Sequence, residues 1–241
     1  MEEGKAYSGA KVFNIKYNHV HDWGAGIVSD FGAIYIGSSY NCDGASLAEL
    51  EQHCYTHAHI FNNWVEGGRP YHRSGGHLYS DTSSSGTIFE RNVLRGGGAN
   101  ALKHHCGLDN ESKNNIVHRT NSVDSFDAIW TGCGKSHMDR FQRFTNYKNI
   151  YLLDTMEGLI MSPPHFRFYD EAPGTIVNKA TVSISLVSVF HSNLYWSAED
   201  GAQNAAVFPE EKNWLEWQNS GNDTGSIWSQ PIFRWLIKAT V

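Results

Sequence analysis

Asp81 closes the run Gly75-Gly76-His77-Leu78-Tyr79-Ser80-Asp81, and His105 closes a second run, Ala101-Leu102-Lys103-His104-His105. Aligning the two runs on their turn glycines sets His105 above Asp81 if the runs are stacked strands. At the interstrand spacing the two would lie roughly 5 Å apart. A carboxylate beside an imidazole is a usable acid–base pair, because the ring changes protonation near neutral pH and the carboxylate stabilises its cation. Asp81 is the stronger half of this reading, since it lies just past a strand end, where side chains meet solvent and ligand.

Other spacings point to less. His57 and His59 alternate and share a strand face, so a metal set with His53 is conceivable; solvent-facing histidines are the favoured reading. His104 and His105 are adjacent, point to opposite faces of a strand and cannot both chelate. Cys42, Cys54, Cys106 and Cys133 form no CxxC pair, which argues against structural zinc. Cys42 and Cys54 would staple one loop in an oxidising compartment; buried thiols are the alternative. Gly96-Gly97-Gly98 lacks the following Lys-Ser or Lys-Thr of a phosphate loop. Asn110-Glu111-Ser112 and Asn222-Asp223-Thr224 are glycosylation sequons, meaningful if the chain is secreted.

The elements that must position Asp81 and His105 are short. Apolar runs led by Asn recur at Asn18, Asn63, Asn92, Asn115, Asn149 and Asn193, and the closest pair, Asn92 and Asn115, is 23 residues apart. A period of this size marks stacked repeats, lengthened elsewhere by insertions. A second strand type lies between them: Ala33–Ile36, His77–Tyr79, Ala101–Lys103 and Gly158–Met161. Two or three such strands per repeat, stacked in parallel, predict an all-β right-handed parallel β-helix, a solenoid with repeated Asn side chains bonded in ladders. Residues 1–165 read as its coils, with 38–57 an inserted loop carrying a short helix over Ser46–Gln52. Residues 166–241 read as a last coil and an irregular cap. Asn213–Trp217 suggests a helical turn there, and the late tryptophans plug the open end.

The 241 residues, with 23 glycines and 18% charged side chains, suit a turn-rich β protein large enough for a sizeable core. A net charge of −6 without a basic cluster argues against a nucleic-acid partner, and no apolar run is long enough to span a membrane. The start, Met1-Glu2-Glu3-Gly4-Lys5, has no apolar signal region and runs almost directly into a strand pattern, so the chain is expected to be an N-terminally truncated fragment.

The ordered motifs resemble the bacterial parallel β-helix proteins of the pectin-lyase-like superfamily, and most closely family 141 glycoside hydrolases. That branch carries Ser-Asp-Met-Gly-Gly-Ile-Tyr, which reads here Ser29-Asp30-Phe31-Gly32-Ala33-Ile34-Tyr35. Its Gly-Ile-Tyr-Leu-Asp-Glu-Gly-Ser-Ser-Gly is similar to Gly76 through Gly86. Its His-Tyr-Gly-Lys-Glu-Asn appears as His105-Cys106-Gly107-Leu108-Asp109-Asn110, followed by Asn114-Asn115-Ile116. Near the end Asn193-Leu194-Tyr195-Trp196, Glu216-Trp217, Gly221, Asp223 and Ser226 match in order.

The resemblance implies an extracellular protein acting on a polysaccharide or oligosaccharide, without cofactor or metal. Glycoside hydrolysis usually needs two carboxyl groups, and the resemblance offers Asp30 and Asp81, with His105 beside Asp81. Tyr79, Lys103, His104 and Asp109 are the expected substrate contacts, and Asp109 or Glu111 is an alternative second carboxylate. Asp30 precedes its strand whereas Asp81 follows the equivalent one. In straight, stacked strands they would be on the order of 20 Å apart, at about 3.3 Å per residue; only a bend or bulge brings them together. Two departures stand out: Thr82 replaces a family acidic residue and Cys106 a family Tyr. A non-catalytic carbohydrate-binding or structural solenoid is therefore the alternative to a hydrolase. A lyase would use Lys103, Arg140 or Arg143 as its base, but no Asp cluster suggests the accompanying calcium site.

Overall fold

The computed structural model describes residues 12–27, 30–37, 48, 55–68, 75–81, 84–96, 100–120, 128–132, 142–153, 186–197, 212–221 and 223–230. Gly, Asn and Ser interrupt every apolar run, so the strands are short. Numbered along the chain, they form three sheets in which every pairing is parallel. Sheet A holds β1 (Phe13–Lys16), β4 (Ala58–Phe61), β7 (Ile88–Glu90), β10 (Gly107–Lys113), β13 (Gln142–Tyr147) and β15 (Leu186–His191), in that spatial order. Sheet B runs from β2 (His19–Val20) through β5 (Trp64–Glu66), β8 (Val93–Arg95), β11 (Ile116–Arg119), β14 (Ile150–Leu153) and β16 (Leu194–Ser197) to β17 (Ile227–Trp228). Sheet C holds β3 (Gly32–Gly37), β6 (Gly76–Asp81), β9 (Asn100–His105) and β12 (Ile129–Gly132). From β3 to β14 the chain visits C, A and B in rotation. Each sheet's crossover is thus a pass through the other two, which meets the long-connection requirement of parallel pairing. The described residues contain no closed barrel, and three parallel sheets are compatible with the expected parallel β-helix.

Alternation within each strand sets the core. Equivalent inward residues fall opposite one another: Ile60 against Phe89, Val65 against Leu94 and then Val117, and Leu78 against Leu102 and then Ile129. All eight are completely buried. Full burial of a side chain of this size is worth about 1.5–3 kcal/mol. This register therefore makes a one-residue slip of any strand costly, because it would turn such a row outward.

The six Asn residues predicted to stack do so. Asn18, Asn63, Asn92, Asn115 and Asn149 each donate a backbone N–H to the side-chain oxygen of the next Asn, at 2.9–3.0 Å. The side-chain amide of each donates to that same oxygen. Spare amide protons bond strand carbonyls, such as Asn115 Nδ2 to Phe89 O at 2.9 Å. The residue before each ladder Asn is left-handed, from Tyr17 (φ 59°) to Ser192 (φ 55°), and this kink turns the chain from sheet A into sheet B. The ladder ends on Asp223, completely buried, which accepts from Asn193 Nδ2 (3.0 Å), the Tyr195 hydroxyl (2.7 Å), Trp217 Nε1 (3.2 Å) and Ser226 Oγ.

The helical turn is α1 (Trp214–Asn219), closed by a reciprocal capping box between Asn213 and Glu216. Trp214 and Trp217 are buried rather than displayed, Trp214 lying 5.2 Å from the Tyr195 ring. The Ser46–Gln52 helix (Ala48 apart), Gly158–Met161, Cys42, Cys54 and Cys133 lie outside the described residues. No described helix is long and apolar enough to cross a membrane.

Candidate functional site

The site is built on the outward face of sheet C. In β6, Leu78 and Ser80 point into the core, so Tyr79 and Asp81 point out. Register places Tyr35 opposite Tyr79, and Tyr79 opposite Lys103. Ser80 pairs with His104, which sets Asp81 beside His105. The contact follows: His105 Nδ1 lies 2.7 Å from Asp81 Oδ1. The Tyr35 hydroxyl donates to Asp81 Oδ2. Gly107 lets the chain turn directly after this pair: its φ is +93°, and a Cβ there would sit 2.2 Å from the Ser84 carbonyl oxygen.

Asp30 joins the same cluster, contrary to the straight-strand geometry that set it about 20 Å from Asp81. The long Tyr79 and Lys103 side chains reach toward it, and Asp30 itself is left-handed, φ 53°, just before β3. Tyr79 donates to Asp30 Oδ1 at 3.3 Å, and its hydroxyl also lies close enough to Asp81 to interact with it. One phenol oxygen is thus shared between the surroundings of both carboxylates. Lys103 Nζ lies 3.2 Å from Asp30 Oδ1 and 3.9 Å from the centre of the Tyr79 ring, a cation–π contact.

Burial grades across the cluster. Tyr79 and Lys103 are almost wholly enclosed and Asp81 is 8% exposed, while Tyr35 is 44% exposed. The Asp30 side chain is 61% exposed, so the cluster opens to solvent on the side of Asp30 and Tyr35. Burial pushes the Asp81 carboxyl up, but hydrogen bonds from His105 and Tyr35 and the charge of His105 outweigh it and hold the group well below the usual carboxylate range. Burial, reinforced by Asp81 and Asp30, pushes the Tyr79 phenol up, so it stays a hydrogen-bond donor. Burial also lowers Lys103, with Asp30 opposing the shift. The arrangement offers an ionised carboxylate that orients an imidazole, a second carboxylate within reach, and a cation beside it.

Two expected substrate contacts go elsewhere. His104 points into the core, completely buried, its ring 4.7 Å from Phe89 and 4.5 Å from Phe144, with Nε2 3.1 Å from Ser112 Oγ. Desolvation lowers it to about 3, so it is neutral and structural. Asp109, left-handed at φ 53° in a bulge of β10, binds Arg143 through both oxygens at 2.7 and 2.8 Å and accepts from Tyr55. The alternative carboxylate Glu111 bonds Lys113 and Tyr147.

Tyr35 is the residue that sequence reasoning missed. Its parity one pass before Tyr79 was the available signal. Cys106 is completely buried and disulfide-bonded, which removes the free-thiol alternative for it; its partner lies outside the described residues. Asn110 is buried and fully engaged, donating to the Ser84 and Cys106 carbonyls and accepting from Thr87 N–H, so its sequon is closed in the folded protein. Among the described residues no group of three or more His, Cys, Asp or Glu is placed to hold a metal ion.

Protein-family models, curated proteins and solved structures give no match to this chain.

Proposed function

We propose that this chain is a carbohydrate-active right-handed parallel β-helix, similar to family 141 glycoside hydrolases, that hydrolyses glycosidic bonds in a polysaccharide or oligosaccharide. Residues 1–165 supply its coils and 166–241 its last coil and cap. The observation that carries the reading is the Tyr79 phenol between the carboxylates of Asp30 and Asp81. It gathers at one place the two carboxyl groups that glycoside hydrolysis usually needs. In this reading Asp81 stays ionised, fixes the His105 ring and stabilises its cation while the ring carries a proton to or from the glycosidic centre. Asp30, at the open side, is the second carboxylate. Lys103 and Tyr79 hold it, and Tyr35 holds Asp81. The disulfide at Cys106 suits the extracellular setting that the resemblance implies.

A panel of neutral and acidic oligosaccharides, assayed for new reducing ends, tests the proposal. Asp30→Asn is expected to lower turnover by at least about 100-fold, the usual weight of a positioned acid or base, and Asp81→Asn comparably, because His105 loses the carboxylate that orients its ring and stabilises its cation. Turnover equal to wild type in both variants sinks the hydrolase reading. The enclosure of Tyr79 and Lys103 under the cluster favours one rival, a glycan binder in which these charges only brace the fold. Glycan binding by the wild type without turnover selects that rival.

A further inference from the structure

A second cleft lies on the outward face of sheet B, on strands that contribute nothing to the Asp81 cluster. It is a shallow, open cleft of about 360 Å³ lined by His19, His21, Asp22, Glu66 and Arg95, among others. That volume lies within the range of small-molecule sites. Its polar groups are organised in pairs. His19 Nε2 lies 2.9 Å from Glu66 Oε1, His21 Nδ1 lies 2.9 Å from Asp22 Oδ2, and Arg95 Nη1 reaches Glu66 Oε2 at 4.0 Å. Beside them stands Trp64, 47% exposed. Its ring centre is 5.6 Å from that of His19, and its side chain hydrogen-bonds Glu66.

We propose that this cleft is a second glycan site, taking a neutral oligosaccharide. Three features select that ligand. The half-exposed indole offers a flat apolar surface of the size of a sugar ring at the rim of a polar cleft. The carboxylates of Asp22 and Glu66 accept from vicinal hydroxyls, while the Arg95 guanidinium and the imidazoles donate, so donors and acceptors alternate over a short span. Two carboxylates and one guanidinium leave no excess of positive charge, which disfavours a polyanion such as a polyuronate. The site shares its ligand class with the proposed function but none of its residues. It would hold a chain against the protein whether or not the Asp81 cluster cleaves it.

The test uses the full chain carrying Asp81→Asn, so that turnover does not enter. Cellopentaose, xylopentaose and, as an anionic counterpart, trigalacturonate are titrated by calorimetry. A neutral pentasaccharide is expected to bind, and both Trp64→Ala and Glu66→Gln in the same background are expected to weaken it by about tenfold or more, the weight typical of a central aromatic anchor. Melting temperature checks that the variants fold; if Trp64→Ala fails there, Glu66→Gln carries the comparison. Absence of neutral-glycan binding, binding indifferent to both substitutions, or a preference for trigalacturonate overturns the proposal. Loss of turnover in the wild type with Trp64-dependent binding intact would sink the hydrolase reading and leave this one standing.

Discussion

Replacing Asn115 with Ala tests the Asn ladder at its most enclosed point. Asn115 is completely buried, and its Oδ1 receives Asn92 N at 2.9 Å and Asn92 Nδ2 at 3.1 Å. Its Nδ2 donates to Phe89 O at 2.9 Å and to Asn149 Oδ1 at 3.0 Å. Alanine removes all four bonds and orphans a backbone N–H, an amide proton and a carbonyl in the interior. At about 1 kcal/mol net per bond the loss is near 4 kcal/mol, and orphaned buried donors cost 1–3 kcal/mol each, so about 4 is the low side. Asn18, exposed at the other end of the ladder, is the internal control. Alanine there keeps the backbone N–H bond to Asn63 Oδ1 and removes the two bonds of Nδ2, to Asn63 Oδ1 at 2.9 Å and Lys16 O at 3.0 Å, which water replaces. Asn18→Ala is expected to cost less than about 1 kcal/mol. Urea unfolding followed by circular dichroism measures both. Equal losses, or an Asn115→Ala loss below about 1.5 kcal/mol, would refute the argument that the buried ladder is an obligatory partner set.

Other expectations follow from single features. Lys148 is exposed and left-handed at φ 55°, so Lys148→Gly should raise stability by roughly 0.5–1 kcal/mol in thermal melts, glycine's own entropy limiting the gain. His77 and His104 are held neutral by burial, lowered to about 4 and about 3. Their contribution is present above the unfolded-state value near 6.5 and is lost as pH falls from there toward the folded values; for His104 alone the loss at pH 5 is on the order of 2 kcal/mol. His104→Phe should therefore flatten the fall in stability between pH 7 and 5, and an unchanged pH profile would contradict the assignment. Asp81 has the carboxylate sign: its lowered folded-state pKa supplies stability above the ordinary carboxylate range that is lost as pH falls through the folded value. The gap between wild type and Asp81→Asn should accordingly narrow in acid, measured by urea midpoints from pH 7 to 2. Expression in a glycosylating host should leave the Asn110 peptide unmodified by mass spectrometry.

Much of this arrangement was legible in the chain because repeats convert sequence distance into vertical neighbours. The recurrent Asn positions gave the ladder, and turn glycines gave the contact between Asp81 and His105. Parity along β9 should have excluded His104 as a ligand contact, since His105 and His104 must face opposite ways; the inward direction became certain only with the register of Leu102. Asp30 was hidden by the reach of two long side chains and by one residue's dihedral. Asp, like Asn, suits a left-handed kink, but Asn62 and Asn114 sit at the recurring place before a ladder Asn whereas Asp30 stands outside that repeat. Asp109 was misplaced for a related reason: the bulge that aims it at Arg143 depends on strand pairing, not on local pattern.

The amides of the ladder all point one way, so the row has a head and a foot. Every interior member offers the same two hydrogens upward and the same oxygen downward, which makes it interchangeable with its neighbours. A duplicated unit spanning 92–114 could be inserted between its parent and Asn115 with each new amide matched. The Asp223 end accepts no such addition: its carboxylate receives the last amide hydrogen and fixes where growth of the stack must stop.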